Sequence, residues 1–278
     1  MSNTIYTATG CARCKITKRY MKSQGIFYDE FDIKAEGKDA FAKFYRENRN
    51  RIYRDKDGVE FPVFTDGDAI RQGVGVIIGY LTAGDKLKGY IGRSKLHGEW
   101  IDGFNVSGGN PALTDELIAV LAHLRQSGMK IQLTGNGKNA SVMEKLLANK
   151  IGDRFIMTVK GPADCYAQML GEDVISDEIS RSIYLATKFP DYKFITEIAP
   201  VIRKDGSATF LTPEEIGEAA KMIEAATGSK KNPYFLCACP LETFNNVRFN
   251  TLEPLPDTAM FKYRTAARRF QVMTEFEK

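Results

Sequence analysis

The sequence predicts an α/β protein built in two parts. Short apolar strands alternate with amphipathic helices along most of the 278 residues, a pattern typical of α/β folds. Residues 1–88 hold a complete set of strand and helix signals, and residues 89–278 repeat strand–helix pairs. Because a chain of this length can form two ordinary domains, we place a domain boundary between residues 88 and 89.

The composition indicates a soluble globular protein and excludes several classes of partner. The chain is 43% hydrophobic and 27% charged, and its formal net charge is only +4. No block of Lys and Arg is long enough to indicate nucleic-acid binding. No stretch approaches the ~20 apolar residues of a membrane span, and the chain opens with polar residues rather than a secretion signal. We therefore expect no nucleic-acid partner and no membrane.

The cysteines indicate reactive or metal-binding thiols in the reducing cytoplasm. Cys11 and Cys14 form one close pair, Cys237 and Cys239 form another, and Cys165 stands alone. An odd number in two local pairs does not resemble the disulfide framework of a secreted protein. The chain has only two histidines, which argues against histidine-rich metal chemistry.

The elements of the first part follow the order β-α-β-α-β-β-α, which is that of a thioredoxin-like fold. Two local signals support this order: Gly25 ends the first helix, and a Phe-Pro pair precedes the third strand. The predicted strands are 3–7, 27–33, 61–64 and 69–72, and the predicted helices are 15–24, 37–48 and 74–81.

Cys11 and Cys14 follow the first strand and stand at the start of a helix. Two thiols at this spacing can close a disulfide, and the positive end of the helix dipole favours the thiolate of Cys11. Arg13 and Lys15 add positive charge beside it. The pattern predicts dithiol–disulfide chemistry in which Cys11 attacks a substrate disulfide and Cys14 resolves the mixed disulfide.

These features resemble a glutaredoxin. The resemblance rests on the dithiol motif after a strand and on Pro62 before the third strand. It implies a cis peptide bond at Pro62, which would lie beside the cysteines and shape a substrate groove with Arg13. The family's Pro-Tyr between the cysteines is replaced by Ala12 and Arg13, and only the segment 73–75 stands where a glutathione contact is expected. The resemblance thus implies a dithiol mechanism with a dedicated partner rather than general glutathione-dependent reduction.

The second part follows a Gly- and Lys-rich linker, 84–100, with one short strand at 89–91. Five strands separated by four helices predict a parallel sheet, open or curled into a partial (β/α) barrel similar to a TIM barrel. A Thr-Pro-Glu-Glu capping box starts the last of these helices, at Thr212. The predicted strands are 101–106, 129–133, 154–159, 193–202 and 233–239, and the predicted helices are 114–126, 140–149, 175–188 and 213–227.

Glycine-rich segments follow the first strands of this part, and two interpretations of them stay open. Glycines at strand ends let the backbone approach a ligand closely, and they are also ordinary turn formers. Together the segments resemble the core of a radical S-adenosylmethionine activase of the kind that activates glycyl-radical enzymes. The resemblance implies cofactor-binding positions, namely Gly108, Gly109, Asn110 (in place of the family's Glu), Asn136 and Lys160.

The iron–sulfur motif of that family is absent from the sequence. Its Cys-x-x-x-Cys-x-x-Cys would need a cysteine at Thr7, and two thiolates with a threonine are a poor set of ligands for a cluster. We therefore expect no reductive cleavage of S-adenosylmethionine and no certain cofactor, while a ligand of the S-adenosylmethionine type without a cluster stays open. The resemblance implies a client enzyme of anaerobic radical metabolism.

Cys237 and Cys239 lie on one face of the last predicted strand, which leaves three interpretations. In the first, both thiols pack in the interior. In the second, they exchange with Cys11 and Cys14. In the third, the four cysteines together bind zinc or an iron–sulfur cluster.

The leading functional hypothesis is a thiol–disulfide oxidoreductase whose degenerate barrel recognises a client protein disulfide. The alternatives are a non-catalytic, ligand-binding redox sensor and a four-cysteine metal protein.

Overall fold

The computed structural model describes residues 2–56, 58–171 and 175–277, and confirms the predicted α/β class. Contacts between residues divide the chain into two compact units, Met1–Gln132 and Leu133–Lys278. The boundary predicted between residues 88 and 89 stays a prediction. Within the described residues we find no helix with the length and apolarity needed to span a bilayer.

The first unit begins with a thioredoxin-like fold. Its four-stranded sheet has the order β2-β1-β5-β6. Strand β1 runs parallel to β2, and β5 runs antiparallel to both β1 and β6. The elements are β1 (Thr4–Thr7), α1 (Ala12–Ser23), β2 (Asp29–Asp32), α2 (Lys38–Glu47), β3 (Arg54–Asp55), β4 (Gly58–Val59), β5 (Val63–Thr65), β6 (Ile70–Gln72) and α3 (Val74–Ala83).

Two clusters of buried side chains hold this sheet and its helices together. Ile5, Met21, Phe64 and Ile77 are buried on one side. An aromatic cluster on the other side centres on Tyr6, whose ring packs against aromatic side chains from β2 and α2. This second cluster also contains Cys14, so the packing of the sheet fixes one of the two thiols of the dithiol motif.

The segment after α3 differs from the predicted linker. A 3-10 helix covers Gly84–Leu87, and β7 (Leu96–His97) forms an antiparallel hairpin with β8 (Trp100–Asn105), which α4 (Thr114–Gln126) follows. The predicted strand 89–91 is wrong except for an isolated bridge at Ile91. The N–H groups of Tyr90 and Ile91 both donate to the Leu87 carbonyl, so this segment continues the turn after the 3-10 helix instead of forming an extended strand.

In the second unit the strands β15, β14, β11, β10 and β9 are neighbours in that order within a seven-stranded sheet, and the unit boundary falls inside β9. Neighbours among β10, β11, β14 and β15 are parallel, and most strands are followed by a helix, as in part of a (β/α) barrel. The elements are β9 (Lys130–Gly135), α5 (Ala140–Ala148), β10 (Arg154–Thr158), α6 (Ala163–Leu170), α7 (Ser176–Ala186), β11 (Asp191–Ile198), β12 (Pro200–Ile202), β13 (Ala208–Phe210), α8 (Pro213–Thr227), β14 (Tyr234–Ala238), α9 (Asp257–Arg268) and β15 (Thr274–Phe276).

Three features of this unit differ from the sequence prediction. The long strand 193–202 is broken, because Pro200 has no N–H to donate to the parallel sheet, and β12 pairs instead with β13 in a separate hairpin. The short helix α6 was not predicted, since two turns carry little periodicity. Strand β15 adds to the sheet beside β14 and was also missed.

Helix α8 begins with the predicted capping box, which the structure extends into an ion pair. The Thr212 hydroxyl accepts the Glu215 N–H, and the Glu215 carboxylate accepts the Thr212 N–H. The same carboxylate forms a two-pronged ion pair with Arg203, which also donates to the Phe210 carbonyl. These bonds tie the β12–β13 hairpin to the start of α8.

We expect Glu215→Ala to destabilise the second unit by about 2–3 kcal/mol, because it removes a helix cap and leaves Arg203 without its carboxylate. The measurement is thermal unfolding followed by circular dichroism, with an expected fall in the midpoint of about 5–10 °C. Glu218→Ala is the matched control on the same helix, since Glu218 is exposed and forms a surface ion pair with Lys221. Equal midpoints for the two variants would contradict the role of Glu215.

Candidate active site

The two cysteines of the dithiol motif are joined by a disulfide at the start of α1. Their Cα atoms lie 5.3 Å apart. Helix α1 begins at Ala12 rather than at Lys15, so Cys11 is the residue that caps the helix and Cys14 lies in the first turn. The Cys14 N–H donates to the Cys11 sulfur at 3.1 Å. The helix start therefore supplies a hydrogen-bond donor that favours a thiolate on Cys11 once the bond is reduced.

The loop that leads to Cys11 is held by Asp32 at the end of β2. The Asp32 carboxylate accepts hydrogen bonds from the Thr9 N–H, the Thr9 hydroxyl and the Lys34 N–H. The pKa of Asp32 is lowered, and the hydrogen bond from the Thr9 hydroxyl contributes most to this shift. The carboxylate stays ionised at neutral pH and keeps Thr9 two residues before the sulfur in a fixed position.

The two sulfurs differ in their access to solvent. Cys14 is 2% exposed and packs in the aromatic cluster, whereas Cys11 is partly exposed. A substrate sulfur can reach Cys11 but not Cys14. Cys11 is therefore the more accessible of the two cysteines.

Pro62 lies where the glutaredoxin resemblance implies. The Phe61–Pro62 peptide bond is cis. The Phe61 carbonyl oxygen lies 3.9 Å from the Cys11 sulfur. The Pro62 carbonyl accepts the Gly73 N–H at 3.0 Å, which anchors this turn to the start of α3. The backbone of Phe61 thus lies beside the Cys11 sulfur.

Arg13 lies between the two cysteines and forms an ion pair with Glu60. Its Nη1 is 2.9 Å from the Glu60 Oε1. Burial raises the pKa of Glu60, and the Arg13 guanidinium is the nearest opposing charge. Sequence reasoning singled out Arg13 but missed Glu60, whose only signal was its place two residues before Pro62.

Gly108 and Gly109 pack against Gly89 and Tyr90 of the same chain. A Cβ added at Gly108 would lie 2.3 Å from the Gly89 carbonyl oxygen, and one added at Gly109 would lie 2.3 Å from the ring of Tyr90. The side chain of Asn110 is engaged locally, because its oxygen accepts the N–H of Ala112. Internal packing is sufficient to explain glycine at these two positions, and their role in binding a cofactor stays a prediction.

The predicted ligand residues of the second unit lie at the ends of its strands. Asn136 follows β9 and is half-buried. Lys160 follows β10, and its ammonium donates to the Glu197 carboxylate at 2.7 Å. Glu197 is the register neighbour of Cys237 on the adjacent strand. Lys160 is thus committed to an ion pair that the sequence did not reveal, beside one of the free thiols.

The remaining cysteines are free thiols of low reactivity. Cys165, which stands alone in the sequence, is buried. Burial, followed by the Glu197 carboxylate, raises the pKa of Cys237 to about 11. Burial also raises the pKa of Cys239. These thiols are protonated at neutral pH, and their exchange with Cys11 and Cys14 stays a prediction.

The four-cysteine metal site is not assembled among the residues described. Within residues 2–56, 58–171 and 175–277, no three side chains of Cys, His, Asp or Glu are grouped as ligands of a metal ion. Two of the four proposed ligands, Cys11 and Cys14, are bonded to each other instead.

Comparison with known proteins finds structural likenesses to parts of the chain. NrdH-redoxin from Escherichia coli, a glutaredoxin-like protein with a thioredoxin-like activity profile, matches 27% of this chain and 84% of its own, with 27% identity and a TM-score of 0.21. A domain of a pyruvate-formate lyase-activating enzyme from Bacteroides vulgatus matches 63% of this chain and 98% of its own, with 12% identity and a TM-score of 0.43. No family model and no curated protein matches the chain.

The fold and the site together define a dithiol protein with a thioredoxin-like fold followed by a parallel α/β unit. Its bonded cysteine pair, the start of α1 and the cis-proline turn are parts of a single site in the first unit.

Proposed function

We propose that this chain is a thiol–disulfide oxidoreductase that uses Cys11 and Cys14. One observation carries the proposal: a Cys11–Cys14 disulfide stands at a helix start, with the Cys11 sulfur partly exposed beside the cis-proline turn. A purely structural disulfide would not need a hydrogen-bond donor aimed at the sulfur of its more accessible cysteine.

The reaction begins with the reduced dithiol. The Cys11 thiolate attacks one sulfur of a client disulfide, the client S–S bond breaks, and the leaving thiolate takes up a proton. Cys14 then loses its proton and attacks the Cys11 sulfur, which releases the second client thiol. Two electrons pass from the dithiol to the client, and the Cys11–Cys14 disulfide of the structure is the oxidised product. A dithiol reductant restores the starting state.

The client in this proposal is a protein disulfide in the cytoplasm, and the second unit recognises the client. Support for a client enzyme of anaerobic radical metabolism comes from the activase resemblance of the sequence alone. No ligand of the S-adenosylmethionine type is needed in this mechanism, because the thiol exchange uses Cys11 and Cys14 alone. Equilibrium dialysis with S-adenosylmethionine tests the remaining prediction of a ligand.

Steady-state reduction of insulin disulfides tests the proposal. With dithiothreitol as the dithiol reductant, catalytic amounts of the protein should accelerate insulin reduction well above the rate with dithiothreitol alone. A reversible Cys11–Cys14 couple without any acceleration, and without activity on other protein disulfides, would contradict the enzyme and favour a redox sensor.

A further inference from the structure

Arg13 of the dithiol motif does not face the active site as a free cation. Its guanidinium pairs with the Glu60 carboxylate, and the pair is partly sheltered: 30% of the Arg13 side chain and 13% of the Glu60 side chain are exposed. An ion pair in such surroundings is less screened by water and salt than one on the open surface. The field that reaches the sulfurs is therefore the field of a pair rather than of a lone positive charge.

The position of Glu60 is fixed by the turn that faces Cys11. Its backbone carbonyl accepts a hydrogen bond from the Gln72 side-chain amide at 2.9 Å. The same amide group pairs with the backbone of Tyr53 through both its oxygen and its nitrogen. Gly73 lies next to the carboxylate, since a Cβ there would be in van der Waals contact with the Glu60 Oε1 at 3.4 Å. The carboxylate is thus held one residue before Phe61, whose carbonyl lies beside the Cys11 sulfur.

The other charged groups around Glu60 do not replace Arg13. Burial raises the pKa of Glu60; Arg13 and then Arg93 oppose this, while Asp55 and Asp102 add to it. Arg93 is engaged elsewhere, because its guanidinium lies 3.6 Å from the centre of the Tyr53 ring. Arg13 is the only one of these cations that belongs to the dithiol motif.

We propose that Glu60 is a positioning residue that neutralises Arg13 and thereby limits the thiolate fraction of reduced Cys11. This inference rests on the proposed function and deepens it. A cation beside a thiol favours the thiolate, and a thiolate stabilised in this way makes the reduced protein more stable and the disulfide more oxidising. With Glu60 in place, the Arg13 charge is balanced, the thiolate is stabilised less, and the reduced protein stays a better reductant.

Two substitutions separate the members of the pair. Glu60→Gln keeps the shape of the side chain but leaves the Arg13 charge unbalanced, so it should lower the pKa of Cys11 by about half a unit and raise the thiolate fraction at pH 6 about threefold. Arg13→Gln should shift the pKa of Cys11 in the opposite direction. The double variant, which has no net change in charge, should return close to the wild-type value.

The measurement is the rate at which iodoacetamide alkylates Cys11 in the reduced protein as a function of pH, read by mass spectrometry. Glu30→Gln is the matched control, because Glu30 also pairs with α1, through Lys18, but outside the dithiol motif. A threefold rise in Glu60→Gln with no change in Glu30→Gln supports the inference. A wild-type profile in Glu60→Gln, or shifts of the same sign in Glu60→Gln and Arg13→Gln, would overturn it.

The same samples separate this inference from the proposed function. If the wild-type protein reduces insulin but the alkylation profile of Glu60→Gln is unchanged, the role of Glu60 fails and the oxidoreductase stands. If the wild-type protein reduces no disulfide, the function fails, whatever the alkylation profiles show.

Discussion

Replacement of Cys11 by serine abolishes disulfide reduction, with an expected loss of about 100-fold or more, because the hydroxyl cannot form the mixed disulfide. Cys14→Ser should behave differently. Its Cys11 remains accessible and can attack the client, but the mixed disulfide has no resolving thiol and accumulates. Mass spectrometry of the reaction should therefore find a covalent adduct with the client in Cys14→Ser and none in Cys11→Ser.

Cys239→Ser is the control for these variants. Cys239 is a free thiol in the second unit, with its pKa raised by burial, and it takes no part in the proposed steps. Its loss should leave insulin reduction at the wild-type rate. A loss of activity in Cys239→Ser would show that the second thiol pair exchanges with the first. Full activity in Cys11→Ser would contradict the assignment of the attacking thiol.

The second large effect that we expect is a loss of stability in Gly89→Ala. This substitution should lower the free energy of unfolding of the first unit by about 3 kcal/mol. The added methyl group would lie 2.1 Å from the Gly108 carbonyl oxygen and 2.8 Å from the Gly109 Cα. Backbone atoms on both sides cannot turn away as a side chain can, so the two segments must separate. Tyr90, which is fully buried, would lose part of its packing in the same step.

The stability of this variant can be measured by urea unfolding followed through the fluorescence of Trp100. This residue is the only tryptophan of the chain, and it lies in β8 of the first unit. Gly92→Ala is the matched control in the same segment, because its Cβ would meet nothing closer than the Gly103 carbonyl oxygen at 3.7 Å. We expect the control to unfold near the wild-type midpoint. Equal stability of Gly89→Ala and the wild-type protein would mean that this packing is wrong.

The thioredoxin-like fold was predictable because its signals are local. The motif of Cys11 and Cys14 marks a strand, a turn and a helix within a few residues, and Pro62 marks the start of a strand. Their relation across the fold came from the resemblance to glutaredoxins, and the cis bond confirms it. The start of α1 was misplaced by three residues because a cysteine is not among the usual capping residues.

The glycines predicted to bind a cofactor show why one sequence pattern leaves two interpretations open. Glycine is needed wherever another backbone comes close, and the pattern is the same for a ligand and for the chain itself. At Gly108 and Gly109 the neighbour is Gly89 with Tyr90. The pairing of Arg13 with Glu60 was equally hidden, because it joins residues 47 positions apart that no periodicity connects.

The central claim is that Cys11 and Cys14 exchange two electrons with a protein disulfide, and a single-turnover experiment tests it most directly. Reduced protein is mixed with an equivalent of insulin in the absence of any other reductant, and the thiols of both are counted after acid quenching. We predict that each chain reduces one insulin disulfide and that peptide mapping finds the new bond between Cys11 and Cys14. Free Cys11 and Cys14 with every insulin disulfide intact would contradict the account.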